Sequence, residues 1–434
     1  LRRGTDYLHS ANVQGELVRP FVKWDDEAVT VEGVCESITR AYKIATTAPM
    51  GSVYISVDSG LQEETLDGPI DIPDTTLPCF QAPLPPGANP EVVEQVADLL
   101  LGAKFPVICG GSIAYNPEAT KPLCRLVELV GAAYIDDNNC NCFATDHPQN
   151  LSAAAGVAAR ADVLLAIDSR DVTAIVGGYS SRVRGQMEEG PSQTKIIDLS
   201  QNLYAFRSWS RAGGKVAPTT VQMVAEPVVG MRQLIAVIEA KLRRRRMART
   251  AIAARKTRIA KQHAAAIRRV KATLKKRWGE TPISPHRFVY ELYESVKRKP
   301  WLLTMRSHRA WPDGIWQIRG CGDAMGHSGG GGVGYGTGAI VGMSLAARDQ
   351  GRFPVGFIGD GDFQMHSGAL WTAVHERIPM LLVINNNTSW WNDEQHQEEI
   401  ANLRGRPPEN RWITTTTRDP EADLSAIARG NGAW

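Results

Sequence analysis

The sequence predicts an α/β chain of three doubly wound units, each on a largely parallel sheet, with the first and last units truncated. Short apolar runs such as "FPVICGG", "DVLLAID" and "PMLLVINNN" alternate with segments of helical periodicity, the pattern of parallel strands covered on both faces. A stretch at 69–90, "PIDIPDTTLPCFQAPLPPGANP", has Pro at seven positions and separates two such alternations. A chain of 434 residues is also too long for one ordinary core.

In chain order, residues 28–48 carry apolar side chains at helical spacing and "GSVYISVD" (51–58) reads as a strand, giving a first unit over 1–68. After the 69–90 linker a central unit spans 91–225. It holds a helix at 91–102, the strand "FPVICGG", a helix near 117–131, then the strands "AAYID", "DVLLAID" and "TKIIDLS". Residues 226–282 are expected to be a basic helical linker, because 241–278 hold 16 Lys and Arg, no acid, no Pro and no Gly. A nucleic-acid surface would bring interleaved aromatics or a nucleic-acid fold, and neither is present, so these charges are expected to face water. The third unit spans 283–434. The chain opens without Met at "LRRGTDYLHS" and stops at "IARGNGAW", where a strand is expected to follow.

Composition narrows the class without naming a partner. Hydrophobic residues make up 43% and charged residues 22%, as in soluble globular proteins, and a net charge of +3 selects no ligand. Seven cysteines, without a signal peptide or a framework spacing, point to reduced thiols in a cytoplasmic protein. Cys140 and Cys142 form a C-x-C with no second Cys or His pair at zinc-ligand spacing, so they read as small buried residues. No apolar run approaches the ~18 residues of a membrane span.

The chemistry concentrates in "GDGDFQMHSGALWTAVHERIPMLLVINNN", residues 359–387. "FPVGFIGDG" reads as a buried strand ending in a glycine turn, "HSGALWTAVHERI" as a helix and "PMLLVINNN" as a second strand. A right-handed crossover makes the two strands parallel, which puts Asp360 and Asn387 at their C-terminal ends, the edge where α/β sheets bind ligands. Mg²⁺ takes oxygen ligands, commonly one or two carboxylates completed by substrate phosphates. Gly359 and Gly361 carry no side chains, so a bulky anion can approach the backbone beside Asp360. Asp360 alone would read as a turn aspartate; the strand placement and spacing turn it into a candidate for a Mg²⁺-bridged diphosphate. Upstream, Gly329, Gly331 and Gly334 satisfy G-x-G-x-x-G, but no clear strand precedes them, which weakens a dinucleotide reading.

Gly-Asp-Gly, 24 residues and Asn-Asn together resemble the thiamine-diphosphate motif of the acetolactate synthase, pyruvate decarboxylase and benzoylformate decarboxylase superfamily. The likeness spans nearly the whole chain. It makes 1–68 the C-terminal part of a pyrimidine-binding domain, 91–225 a Rossmann-like central domain and 283–434 most of a diphosphate-binding domain. The resemblance implies that Asp360 and the Asn387 side chain ligate Mg²⁺ and that the Ser389 carbonyl completes the protein ligands. It places Gly334, Gly359, Gly361 and Asp362 against thiamine diphosphate. Val333 falls where a bulky apolar residue wedges thiamine into its bent form, and Thr388 stands where glycine is common.

The glutamate that activates the cofactor in this superfamily falls upstream of Leu1; Glu16, Glu27 and Glu32 come too late in the domain to replace it. It comes from the opposite subunit, so the resemblance implies a homodimer or homotetramer with shared sites, and this chain alone is expected to be inactive. The implied substrate is a 2-oxo acid, decarboxylated to an aldehyde as in benzoylformate decarboxylase or joined to a second 2-oxo acid as in acetolactate synthase. Trp390 and Trp391 are either a pocket wall or core packing, and His396 is either a proton shuttle or a surface histidine. No flavin fingerprint is present. The alternative of another class is a non-catalytic module binding cofactor or nucleic acid.

Overall fold

The structure, a computed structural model, describes residues 13–137, 140–177, 193–202, 218–244, 246–306, 311–326 and 333–434. Its strands form three sheets, and every strand pairing within them is parallel.

The first sheet pairs β1 (Trp24–Ala28) with β2 (Val53–Val57) in the register Trp24↔Val53 to Ala28↔Val57. Helix Val31–Thr46 makes the crossover, and Thr30 caps it by accepting the Gly33 N–H. The sequence pattern missed β1, because "WDDEA" has no apolar run. Two of its three acids are satisfied locally: Asp25 pairs with Arg19 at 2.7 Å, and Asp26 accepts from Ser37 Oγ at 2.7 Å.

The central sheet holds β3 (Pro106–Gly110), β4 (Ala133–Asp136), β5 (Val163–Ile167), β6 (Lys195–Leu199) and β7 (Val221–Met223), in the order β4-β3-β5-β6-β7. Every residue of β3 and β5 is buried, which explains why these strands read as continuous apolar runs. Helices Pro90–Gly102, Thr120–Val130 and Pro227–Arg244 pack one face through Val96, Leu126 and Leu234; Leu151, Val172 and Ile259 cover the other.

Two expectations for 226–282 change. Helix Pro227–Arg244 buries Val228, Met231, Leu234 and Ile238 in the central core, so that unit extends past 225. Helix Arg246–Lys276 is a strap rather than a solvated linker. Ile252, Arg255, Ile259 and Ala266 form a buried stripe at helical spacing, and Val270 joins the core of the third unit. The remaining charges had masked that stripe in the composition.

The third sheet has the order β10-β9-β8, from β8 (Trp301–Met305), β9 (Phe353–Gly359) and β10 (Leu381–Asn385). Helix Tyr335–Asp349 precedes β9, and the β9–β10 crossover contains two short helices, Asp360–Met365 and Ala369–His375, where the sequence suggested one. Segment 311–326 reaches the central unit, where Gly322 N–H donates to Ala114 O at 2.8 Å and Phe143 bridges Gly320 antiparallel. Among the described residues no helix is long and apolar enough to cross a membrane.

Candidate functional site

Strand pairing sets the geometry. Asn385 is the register partner of Gly359, so Asp360 and Asn386 are the first residues past the sheet edge on two neighbouring strands. Asp360 is 1% exposed. Its Oδ1 accepts the Asn387 N–H at 3.4 Å, and its Oδ2 accepts the Thr417 hydroxyl at 3.1 Å. The turn after β10 is built from its own side chains: Asn386 Oδ1 accepts from Thr388 N, and Asn387 Oδ1 from Ser389 N, both at 3.1 Å. Thr388 sits at φ 54°, the left-handed conformation that explains why glycine suits this position.

A short antiparallel bridge closes the turn. Thr417 N–H donates to Thr388 O at 3.0 Å and Trp390 N–H to Thr415 O at 2.7 Å, around the pair Ser389↔Thr416. Bonded pairs alternate in such a ladder, so the Ser389 carbonyl is left outside it. The Ser389 hydroxyl donates to Glu394 at 2.6 Å, and Glu394 pairs with Arg411 at 3.1 Å. The turn thus carries an amide oxygen and a main-chain carbonyl, and it bonds to the Asp360 carboxylate through the Asn387 N–H; oxygens of these kinds suit Mg²⁺. A Cβ added at Gly359 would meet nothing within 4 Å, which leaves room beside Asp360.

The other predicted residues divide. Gly361 does not serve the approach of an anion: a Cβ there would lie 2.6 Å from Trp390 Cζ3, so its lack of a side chain admits the indole. Trp390 is therefore packing, while Trp391 is exposed and His396 lies half-buried within helix Trp391–Leu403. The Asp362 carboxylate turns from the sheet edge to the start of helix Tyr335–Asp349, where Oδ1 accepts Gly334 N–H at 2.6 Å and Gly336 N–H at 3.2 Å. The Gly334 amide, on a residue the resemblance placed against the cofactor, is thus taken by this cap. Its Oδ2 is buried without a partner among the described residues. Gly334 has φ 91° and Val333 is 46% exposed, while Gly329 and Gly331 lie outside the described residues. Glu16, Glu27 and Glu32 are exposed. Sequence reasoning missed Glu394, Thr417 and Arg418, whose Nε donates to Thr388 Oγ1 at 2.6 Å; nothing in the run "TTTTR" marks the last two.

One other trio has metal-ligand character: Cys124, Glu128 and His147 offer ligand atoms within 4.8 Å of one another. His147 Nδ1 accepts the Gln149 N–H at 3.1 Å, so the neutral ring carries its proton on Nε2 and donates to Glu128 at 3.3 Å. That is a hydrogen-bonded pair with no nitrogen lone pair aimed at a metal. Three carboxylates, two of them buried, also mark the central sheet. Burial pushes Asp136, Asp137 and Asp198 each up to about 6.

Residues 307–434 match the family described as "Thiamine pyrophosphate enzyme, C-terminal TPP binding domain". Over 403 residues the chain is 25% identical to the probable acetolactate synthase large subunit of Methanocaldococcus jannaschii, covering 88% of this chain and 62% of that one. It is 24% identical over 385 residues to acetolactate synthase 2, chloroplastic, of Nicotiana tabacum, again over 88% of this chain and 54% of the relative. The chain therefore spans somewhat more than half the length of these relatives. Among solved structures, benzoylformate decarboxylase from Polynucleobacter necessarius superposes with a TM-score of 0.68 at 18% identity, over 96% of this chain and 70% of that one. A putative thiamin diphosphate-dependent enzyme from Mycobacterium smegmatis gives 0.66 at 21%, over 96% and 71%. At those identities the structural likeness shows the fold.

Proposed function

We propose, from the premise that this chain is a member of the thiamine-diphosphate-dependent superfamily, that it binds thiamine diphosphate through Mg²⁺ and takes part in carboligation or decarboxylation of 2-oxo acids. The observation that carries the reading is the placement of Asp360 and the Asn386–Asn387 turn just past the paired ends of β9 and β10, with the Asn387 N–H donating to the Asp360 carboxylate at 3.4 Å. Asp360 supplies the anion, and the Thr417 hydroxyl fixes the orientation of its carboxylate. The Asx turn holds the Asn387 amide in place, with a second lone pair left for a cation. The bound cofactor would supply an electron sink for carbon–carbon chemistry, while these residues bind and orient it.

The sequence relatives named as acetolactate synthases favour carboligation, with decarboxylation of the benzoylformate type as the second reading. A homodimer or homotetramer in the cytoplasm, with sites shared between subunits, belongs to the same proposal. The test is calorimetric titration of the chain with thiamine diphosphate, with Mg²⁺ and with chelator. Binding that requires Mg²⁺ and is lost in Asp360→Ala is expected, since the substitution leaves the diphosphate and metal without the anionic ligand. Equal affinity in the variant, or binding indifferent to chelator, would overturn the assignment. Aldehyde or acetohydroxy acid as product, assayed with the full-length protein, separates the two reactions.

A further inference from the structure

Two segments cross the seam between the central unit and the cofactor-binding unit in antiparallel register. Phe143 bridges Gly320, and Thr145 N–H donates to Ile318 O at 2.9 Å. One residue further along the same register, Cys142 stands directly opposite Cys321, with both side chains on one side of the bridge. The Cys321 thiol donates to the Cys142 carbonyl oxygen at 3.4 Å, so the two residues are in contact across the bridge. Directly opposed antiparallel residues hold their Cβ atoms about 4.5–5.5 Å apart. A disulfide needs about 3.5–4.5 Å, so a small approach of the two segments suffices. Neither thiol takes part in the site around Asp360.

We propose that Cys142 and Cys321 are a peroxide-oxidisable pair that closes to a disulfide, tying the central unit covalently to the segment that leads toward Val333 and Gly334. Cys321 is the attacking thiol. The Cys142 side chain beside it holds it below the ordinary thiol range, whereas burial raises Cys142 well above it. The Cys321 sulfur attacks one oxygen of hydrogen peroxide. An S–O bond forms, the O–O bond breaks, and hydroxide leaves as water with the thiol proton. The Cys142 sulfur then displaces the oxygen of the sulfenic acid, forming S–S, breaking S–O and releasing a second water. Two thiols lose two electrons and two protons, and one peroxide becomes two waters. A route for the Cys142 proton is present: its Sγ is 2.7 Å from Tyr134 Oη, which donates to Asp136 Oδ1 at 2.8 Å. Cys321 is 7% exposed and Cys142 is fully buried, which selects a small oxidant over a bulky disulfide.

The test treats the full chain with equimolar hydrogen peroxide, denatures it in N-ethylmaleimide and maps the unreduced peptides by mass spectrometry. A peptide pair joined through Cys142 and Cys321 and cleaved by dithiothreitol is expected, with loss of two of the seven free thiols. In Cys142→Ser the link should vanish and Cys321 should be trapped as its dimedone adduct. Cys321→Ala, should the first variant not fold, is expected to leave Cys142 unoxidised. Maleimide on both residues of the wild-type chain, with oxidation confined to exposed Cys79, would overturn the proposal. So would direct passage of Cys321 to the sulfinic acid.

Discussion

Arg255→Met removes one guanidinium that closes two helices at once. Arg255 is 6% exposed; it donates through Nη1 to Ala103 O and through Nη2 to Val130 O at 2.6 Å. Those carbonyls lie at the C-terminal ends of helices Pro90–Gly102 and Thr120–Val130, where acceptors lack intrahelical donors and the helix dipole is negative. A hydrogen bond to a charged group contributes about 1.5–3 kcal/mol, so the two together give about 3–6 kcal/mol. Burial of the cation offsets part of this, and Met refills most of the aliphatic volume, leaving an expected net loss of about 2–4 kcal/mol. Urea unfolding followed by circular dichroism measures that loss, and hydrogen exchange should show weaker protection in those two helices. Arg268→Met, on the exposed face of the same strap, is the control and should stay within about 0.5 kcal/mol of the parent. Equal midpoints for the two variants would return the strap to the status of a solvated linker.

Gly361→Ala places a methyl 2.6 Å from the Trp390 ring, and is expected to cost about 1–3 kcal/mol, recovered in part by Trp390→Leu. A double variant no more stable than Gly361→Ala would remove the indole as the cause. Asp362→Ala leaves the Gly334 and Gly336 amides uncapped, which predicts a loss of about 0.5–2 kcal/mol by thermal unfolding. An unchanged midpoint would refute the cap. Asp198 has its folded-state pKa raised from 3.8 to about 6 by burial, and its Oδ1 lacks a partner among the described residues. The sign follows: its stabilising effect is complete below 3.8 and is lost as pH rises through about 6. Asp198→Asn should therefore be more stable than the parent at pH 7.5, by about 1–2 kcal/mol after discounting for residual solvent contact, and should show a flatter stability profile from pH 4 to 7. A variant less stable than the parent at pH 7.5 would sink this account.

How much of this was legible depends on what a residue must do to be seen in one dimension. Strands β3 and β5 are buried along their whole length, so they read as apolar runs. β1 was invisible because two of its acids find partners in Arg19 and Ser37, and no pattern in "WDDEA" announces them. Charge counting misread the strap, since 16 cations average over all faces while Ile252, Arg255, Ile259 and Ala266 share one. Arg255 is itself one of those cations, and only the two carbonyls beneath it distinguish it from its neighbours.

The spacing of the Gly-Asp-Gly and the Asn pair was readable for a mechanical reason. The intervening residues must complete a crossover and return β10 in register, with Asn385 opposite Gly359. A slip of one residue would turn every side chain of the strand to the opposite face and carry the Asn387 amide away from Asp360. The count of 24 therefore records the closure of one strand–helix–strand unit, and closure is what brings Asn387 N to the Asp360 carboxylate. The same logic explains where the Asp362 carboxylate points. Two residues past Asp360 the chain is already helical, so that side chain points to the neighbouring helix start and not to the sheet edge. A motif letter beside a ligand letter is no guide once the backbone begins to turn. Thr417 shows the converse, reaching Asp360 from 57 residues away through a bridge that no local pattern encodes.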